Sequence, residues 1–413
     1  MRKTTLLLLN LVGFLGLATP AAADSSVPDD IGTRPAGAAV MVEGALPDGS
    51  SSTREQQEQS GSGSAVDPST CGAAACADMP PDKVIAADEP SNWYVLDGGL
   101  RTHRGTFVGA ATLFVAQSRY ERFYGVTSLA LIRNDAGSHY GLTQLALGRN
   151  LSDELGGVAQ VSLGENRARY FYGVGQVTVG HNRSQEFRGL FQLAGYNRAE
   201  SFGGLMQIGG YNLADESFAG ATQIGGYNRS DGDFTGLAQI GVFNAQGREL
   251  YESHDDDTEL WALGQFGLHN YANAFRGLAQ VGVVSAAHDF SGALQFGVLA
   301  GAGTFRGIAQ IGAVTVTETS YGGQIGVANF VFEEHTGVQI GGGNYADKLH
   351  GVQVGLANIS DEANGVQIGL FNHAKRLRGV QIGLLNHAED GVLEWSPILN
   401  MGFEESSAQV ASR

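Results

Sequence analysis

A glutamine recurs sixteen times in this chain, at intervals of 14 to 16 residues with a single interval of 26. An asparagine follows thirteen of these glutamines by five or six residues, and the repeat reads G-x-x-Q-[ILV]-G-x-[YF]-N-x-[AS]. With so short a period, each copy can bury its apolar side only against its neighbours. The chain is therefore a tandem-repeat protein, and its function must be sought in the whole array.

The repeated amides are the first candidate functional residues. One hypothesis makes them a polar lining that passes small solutes. The other, which we favour, makes them structural residues that hydrogen-bond to one another or to the nearby backbone. The predicted structural residues of the repeat are Gln207, Gln223, Gln239, Gln339, Gln353, Gln367 and Gln381, with Asn212, Asn228, Asn244, Asn344, Asn358, Asn372 and Asn386.

Composition divides the chain into four regions. Residues 1–23 combine a basic start, an apolar run and a small-residue cleavage site, as a secretory signal peptide does. Residues 24–90 are rich in Ser, Gly, Ala and acidic residues, which predicts a disordered tether. Residues 91–403 form the predicted β-repeat domain, with an acidic insertion at 246–258, and residues 404–413 form a polar tail.

These regions indicate an exported protein. Cys71 and Cys76 are the only cysteines, and in an oxidising compartment we expect them to form a small local disulfide. After the signal, no stretch approaches the roughly 18 apolar residues that a membrane-spanning helix needs. The formal net charge of −17 argues against nucleic acid as a partner.

The alternation of side chains within each copy predicts an all-β fold. Strands of about ten residues with polar joins fit an up-and-down meander, which twenty such strands would close into a membrane-type β-barrel. Glu389-Asp390-Gly391 is a hairpin signal between the last two runs. Seven phenylalanines stand two places before the motif glycine and are either interfacial girdles or core residues: Phe187, Phe202, Phe218, Phe234, Phe275, Phe290 and Phe305.

The alternative architecture is a β-solenoid, in which each copy makes one coil and identical residues stack. Two observations favour it, because the sequence shows no doubled period of about 30 residues and the strands lack the charges of a water-filled pore. Segments such as 360–364 argue against it, since they look too short and polar for the second strand of a flat coil. We favour the barrel narrowly on this ground.

The late copies resemble a known family. Segments 337–341, 351–358, 365–372 and 379–386 read GVQIG, GVQVGLAN, GVQIGLFN and GVQIGLLN, and look like the GVQIGLxN units of bacterial surface-repeat proteins. The resemblance implies a cell-surface or outer-membrane location and supplies no catalytic residues. The segment 395–403, WSPILNMGF, is similar to the closing strand of outer-membrane barrels, although ten residues follow it. The spacing Q-x-G-x-x-N-x-A is also similar to the repeat of curli subunits. The second glutamine of the curli repeat is absent from this chain.

The acidic insertion is the one irregular loop. Its side chains His254, Asp255, Asp256 and Asp257 are a candidate metal site. The candidate is weak, because Ca²⁺ needs six to eight oxygen ligands in fixed geometry and the spacing of an EF-hand is absent. We interpret it as a solvated loop. His181, His269, His373 and His387 lie near the asparagines of their copies, but no nucleophile, zinc-protease or phosphate-loop motif occurs.

These observations predict a protein that is not an enzyme and needs no cofactor. The first hypothesis is an outer-membrane barrel with a structural or passive-channel role. The second is a secreted β-solenoid that serves as an adhesin or surface-layer element, with a curli-like fibre subunit as a further alternative. In each case the expected partner is the outer membrane or cell envelope, and the sequence does not identify a protein partner.

Overall fold

The structure is a computed structural model that describes residues 93–247 and 258–403. The predicted signal peptide, tether and polar tail lie outside the described residues, as do both cysteines and most of the acidic insertion. Within the described residues there is no helix of the length and apolar character needed to cross a bilayer.

The described residues form a parallel β-solenoid, so the predicted barrel is wrong and the alternative is confirmed. Successive copies pair in parallel and in register, with Gln207 opposite Gln223 and Asn212 opposite Asn228. A meander would instead pair neighbouring copies antiparallel. The described strands are β1 (Trp93–Arg101), β2 (Arg104–Tyr124), β3 (Thr127–Ala130), β4 (Arg133–Ala146), β5 (Arg149–Val161), β6 (Glu165–Tyr172), β7 (Gly175–Val177), β8 (His181–Arg188), β9 (Phe191–Gly203), β10 (Met206–Ala219), β11 (Thr222–Ser230), β12 (Asp233–Thr235), β13 (Ala238–Gln246), β14 (Glu259–Val281), β15 (Val284–Phe296), β16 (Leu299–Ala388) and β17 (Trp395–Gly402).

Each coil has two limbs, as the copy at 365–378 illustrates. The Gln limb runs from the motif glycine to the third residue after the glutamine, and the Asn limb runs from the asparagine to the next motif glycine. Gln367, Asn372, Ala374 and Leu377 point inward and are fully buried, while their neighbours are partly or largely exposed. This alternation within an extended chain is what places one side of each limb in the core. In the late coils the β structure continues through the corners, so β16 spans several coils.

The polar segment 360–364 does form part of the second limb, contrary to our expectation. Only alternate side chains of a limb need to be apolar or small, and here Ser360 and Ala363 are the buried ones. Asp361 and Glu362 point outward, where they form ion pairs with Lys375 and Arg376 of the next coil. A charged stretch can therefore be a β-strand when its charges all lie on the solvent side.

The repeated phenylalanines form an inner column and are not interfacial girdles. All seven are at most 1% exposed, and neighbouring rings such as Phe202 and Phe218 stack with centroids 4.8 Å apart. Burial of each ring removes a large apolar area from water. His139, Leu155, Leu260, Ser320, His335, Leu349, Ala363 and Leu377 occupy the same column in the coils that lack phenylalanine.

Glycine two places after the glutamine allows the coils to approach closely. A Cβ on Gly355 would lie 2.5 Å from the carbonyl oxygen of Gly341 and 2.7 Å from Nδ2 of Asn344. The motif glycine of the late coils has a different role, because Gly351 has a φ of 147° that other residues rarely adopt. These coils turn their corner there with one residue fewer.

Strand β17 ends the described array by reversing direction. It pairs antiparallel with the last coil, with Gln381 opposite Asn400, and the predicted hairpin at Glu389-Asp390-Gly391 is confirmed. The pairing has a register shift between Gly383 and Asn386. Every other strand pairing in the described residues is parallel.

Candidate functional site

The sixteen glutamines form one continuous inner ladder. Each amide donates from Nε2 to Oε1 of the glutamine in the preceding coil, over 2.7–3.0 Å from Gln160 to Gln381. All sixteen side chains are fully buried. Several also donate across the coil to the backbone, as Gln367 does to the carbonyl of His373 at 3.3 Å. A buried amide is stable only when it is hydrogen-bonded, and the ladder meets that requirement.

The asparagines form a second ladder at the corner between the limbs. Asn358 donates to Oδ1 of Asn372 at 2.8 Å and to the carbonyl of Ile368 at 2.9 Å. The same pair of bonds recurs at Asn212, Asn228, Asn244, Asn344 and Asn372. Ser285, Ala300 and Thr315 interrupt the ladder in three coils.

These two ladders and the inner phenylalanine column fill the inside of the solenoid. The inward side chains pack against each other and bond to each other, so the interior is not a lumen through which a solute could pass. Neutral amides that already have hydrogen-bond partners have no ordinary role as acids, bases or nucleophiles. The repeat residues therefore lie together in the structure, but they lie where a ligand cannot reach them.

The weak candidate metal site of the sequence belongs to the acidic insertion. His254, Asp255, Asp256 and Asp257 fall outside the described residues. At its base, Gln246 Oε1 accepts a hydrogen bond from the backbone N–H of Asn273 at 3.0 Å. Across residues 93–247 and 258–403 no three His, Asp, Glu or Cys side chains group as metal ligands would.

Two histidines stand inside the inner phenylalanine column. His139 stacks on Phe123 with ring centroids 4.5 Å apart, and both His139 and His335 are fully buried. Burial lowers the pKa of each imidazole to about 4. At neutral pH they are therefore uncharged aromatic residues that replace phenylalanine. Our sequence reasoning missed them, although both stand two places before the motif glycine, as the phenylalanines do, which could have placed them in this column.

His373 and His387 are stacked near the last coil. Their rings are 4.8 Å apart, their Nδ1 atoms are 2.7 Å apart, and Trp395 of β17 lies against His387 at 4.2 Å. Partial burial, followed by repulsion from His387, lowers the pKa of His373. His181 and His269 lie at a different position, one residue before the asparagine of their coils, and each is beside an aromatic ring of a neighbouring coil. The pair of His373 and His387 packs against β17 through Trp395. Two imidazoles alone do not make a metal site.

An open groove of about 730 Å³ runs along the outside of the early coils. The residues that line it include Glu186, Arg188 and Glu216. Arg188 pairs with Glu186, and Glu216 accepts a hydrogen bond from Ser201 at 3.2 Å. The groove thus contains charges that are already paired and open to solvent, which is not the arrangement of a catalytic pocket.

The outer side of the Gln limbs is the most distinctive surface of the protein. Side chains one and three places after each glutamine point outward, as do those two places before it in the longer coils. We call this surface the apolar face. Representative exposed members are Leu142, Leu190, Leu237 and Ile308 before the glutamine, Leu193, Ile240, Phe296 and Ile382 directly after it, and Val179, Leu268, Val298, Leu356 and Leu384 three places after it.

The apolar face carries no charge along its whole length. From residue 141 to residue 384, no Gln limb contains Asp, Glu, Lys or Arg. Several of its members are strongly exposed, with Ile308 at 77% and Leu384 at 72%. The outward residues of the Asn limbs differ, since they carry ion pairs such as Arg198 with Asp215 at 2.8 Å. The solenoid is therefore amphipathic, with one apolar and one charged side.

Sequence reasoning had found that the repeats lack charge but had not found this surface. The alternation of Gln and Gly with Ile and Leu was the available signal.

Comparison of the chain with protein-family models, with curated proteins and with solved structures gives no match.

Proposed function

We propose that the chain is an exported structural element of the cell surface, a β-solenoid rod that is built into a larger assembly through its apolar face. The exposed, uncharged face along the coils is the observation that carries this proposal. Soluble monomers rarely expose contiguous apolar patches larger than a few hundred Å². A surface of this extent, opposite a charged one, is expected to be covered by a partner.

The inside of the solenoid supports a structural role over catalysis. The buried polar side chains of the Gln and Asn ladders hydrogen-bond to one another and to the backbone, and the buried histidines have a lowered pKa that keeps them neutral. A catalytic centre needs polar groups that are held ready for a substrate. Here the polar groups stabilise the coil-to-coil contacts instead.

The sequence supports an extracellular location. Residues 1–23 have the pattern of a secretory signal peptide, and residues 24–90 have the composition of a flexible tether. The late coils also resemble those of bacterial surface-repeat proteins. A rod displayed on such a tether would suit an adhesin or a surface-layer element.

The location can be tested in the cells that produce the protein. Intact cells would be treated with protease or with antibody against the solenoid, with a periplasmic protein as control. We expect the solenoid to be labelled on intact cells and to be released by urea or high salt without detergent. Retention in the cytoplasm, or extraction by detergent alone, would contradict the proposal.

A further inference from the structure

We propose that the apolar face binds the same face of a second copy of this chain, so that two solenoids pack with their Gln limbs facing each other. This inference names the partner of the surface described above and rests on the proposed structural role. Two sheets packed in this way lie about 10 Å apart, with the side chains of the two faces interdigitated.

The size of the face fits a stable dimer. Fifteen amide hydrogen bonds connect the sixteen coils from Gln144 to Gln381. At about 4.8 Å per step the face is about 70 Å long, and its outward columns span about 15 Å. The resulting area of about 1,000 Å² exceeds the roughly 800 Å² that each partner buries in a standard interface.

The distribution of charge restricts how two copies can meet. The chain has a formal net charge of −17, so two copies repel each other when they approach through their charged sides. The apolar face is the broad surface that brings no such charge into the contact. Its desolvation also leaves no ionised group unpaired, which would be costly in a buried interface.

The periodicity of the face selects a partner with the same periodicity. Outward residues such as Leu268, Val283 and Val298 repeat at the spacing of neighbouring strands, which in register is about 4.8 Å. A second copy presents rows at the same spacing, so rows of one face can lie between rows of the other. The chain's own residues 24–90 contain few large apolar side chains and are a poor match for this surface.

The test is the oligomeric state of the full exported chain in analytical ultracentrifugation. Leu268→Glu with Val298→Glu places two charges at the middle of the face, on side chains that are 58% and 54% exposed and hence not needed for the core. Gln185→Glu with His350→Glu is the matched control, because these residues are exposed outside the apolar face.

We expect the wild type to be a dimer at micromolar concentration and the Leu268→Glu/Val298→Glu variant to dissociate with a Kd raised by about 100-fold or more. The control variant should keep the wild-type Kd within about threefold. Unchanged circular dichroism and melting would show that both variants fold.

A wild type that is monomeric at about 100 µM would overturn the inference, as would a dimer that survives the two charges. Binding of a monomeric wild type to phosphatidylcholine vesicles, lost in the face variant, would show that the face meets lipid and would also overturn it. None of these outcomes changes where the protein is found on cells, so failure of the dimer and failure of the proposed function are distinguishable.

Discussion

Gln353 Nε2 donates a hydrogen bond to Gln339 Oε1 at 2.7 Å, and Gln367 donates to Gln353 at 2.8 Å in the same direction. Each amide is thus donor to one coil and acceptor from the next. Hydrogen bonds in such a chain polarise one another in a low-dielectric interior. The side chain that marks the repeat in the sequence is therefore also the side chain that connects the coils.

Replacement of one glutamine should lower stability by more than the loss of a single bond. Gln353→Ala leaves the acceptor of Gln339 and the donor of Gln367 without their ladder partners, and it opens a cavity. We expect the free energy of unfolding to fall by about 2–4 kcal/mol, measured by urea denaturation.

The last glutamine provides the control for this experiment. Gln381 bonds to Gln367 and to the carbonyl of His387, but its Oε1 accepts no hydrogen bond in the described residues. Gln381→Ala should therefore cost clearly less than Gln353→Ala. Equal losses at both positions would mean that the ladder bonds themselves contribute little.

Substitution by alanine should change stability in opposite directions at two glycines of neighbouring coils, Gly355 and Gly343. Gly355→Ala places a methyl group 2.5 Å from a carbonyl oxygen, so we expect a loss of about 2–4 kcal/mol. Gly343 has open space around its Cβ position, and Ala357 occupies the same place one coil later. Gly343→Ala should therefore raise the free energy of unfolding by about 0.4–1 kcal/mol through the unfolded chain. Melting curves of the two variants would check this, and a stable Gly355→Ala would argue against tight stacking of the coils.

Loss of a ring from the inner phenylalanine column should lower the free energy of unfolding more than loss of a ring from the outer tyrosine column, which consists of Tyr196, Tyr211 and Tyr227. Phe218 is 1% exposed and stacks on both Phe202 and Phe234, so Phe218→Ala should cost about 3–5 kcal/mol. Tyr227 also stacks on a neighbour, Tyr211 at 4.5 Å, but it is only partly buried at the corner. Tyr227→Ala should cost less than half as much in the same denaturation assay. A larger loss of stability for Tyr227→Ala than for Phe218→Ala would contradict the assignment of the phenylalanine column to the core.

Stability should decrease in acid because of the two buried histidines. The pKa values of His139 and His335 are lowered to about 4 in the folded chain, from the ordinary 6.5. Between these values the unfolded chain binds protons that the folded chain does not, so stability falls as the pH drops below 6.5 and continues to fall until about 4. Each histidine should lower the free energy of unfolding by on the order of 2–3 kcal/mol as the pH falls from about 7 to about 4.5.

The double variant His139→Phe/His335→Leu isolates this effect. Phe123 and Leu349 already occupy the same column in neighbouring coils, so the substitutions suit the site. The surface carboxylates titrate equally in both proteins and cancel in the comparison. Urea midpoints of the variant should therefore depend less on pH than those of the wild type, and parallel pH profiles would contradict the assignment.

The sequence predicted the array and its unit but not how consecutive copies are joined. A period of 14 to 16 residues fits one strand with a turn, and it equally fits one coil with two short limbs. The absent doubled period and the uncharged strands pointed to the coil. Both observations were outweighed by the polarity of segments such as 360–364, which looked like solvated turns.

That misinterpretation has a simple physical cause. In the second limb the inward residues are small or few, as with Ser360 and Ala363, and the outward residues carry the charges. Averaged over the segment, such a strand is as polar as a loop. The phenylalanines were ambiguous for a similar reason, because their spacing is the same in a membrane girdle and in an inner column. Only the pairing of identical residues between coils separates the two.

Strand β17 gives this repeating molecule a defined end. A stack of equivalent coils has no intrinsic length, because each outer edge can template one more parallel strand. Here the outermost strand runs antiparallel, contains Pro397, which has no N–H to donate, and has Ile398 at a positive φ of 74°. A further copy cannot simply continue the pattern at that edge. The chain thus encodes a terminator as well as a repeat, and parallel addition of a further coil is blocked at the β17 edge of the described array.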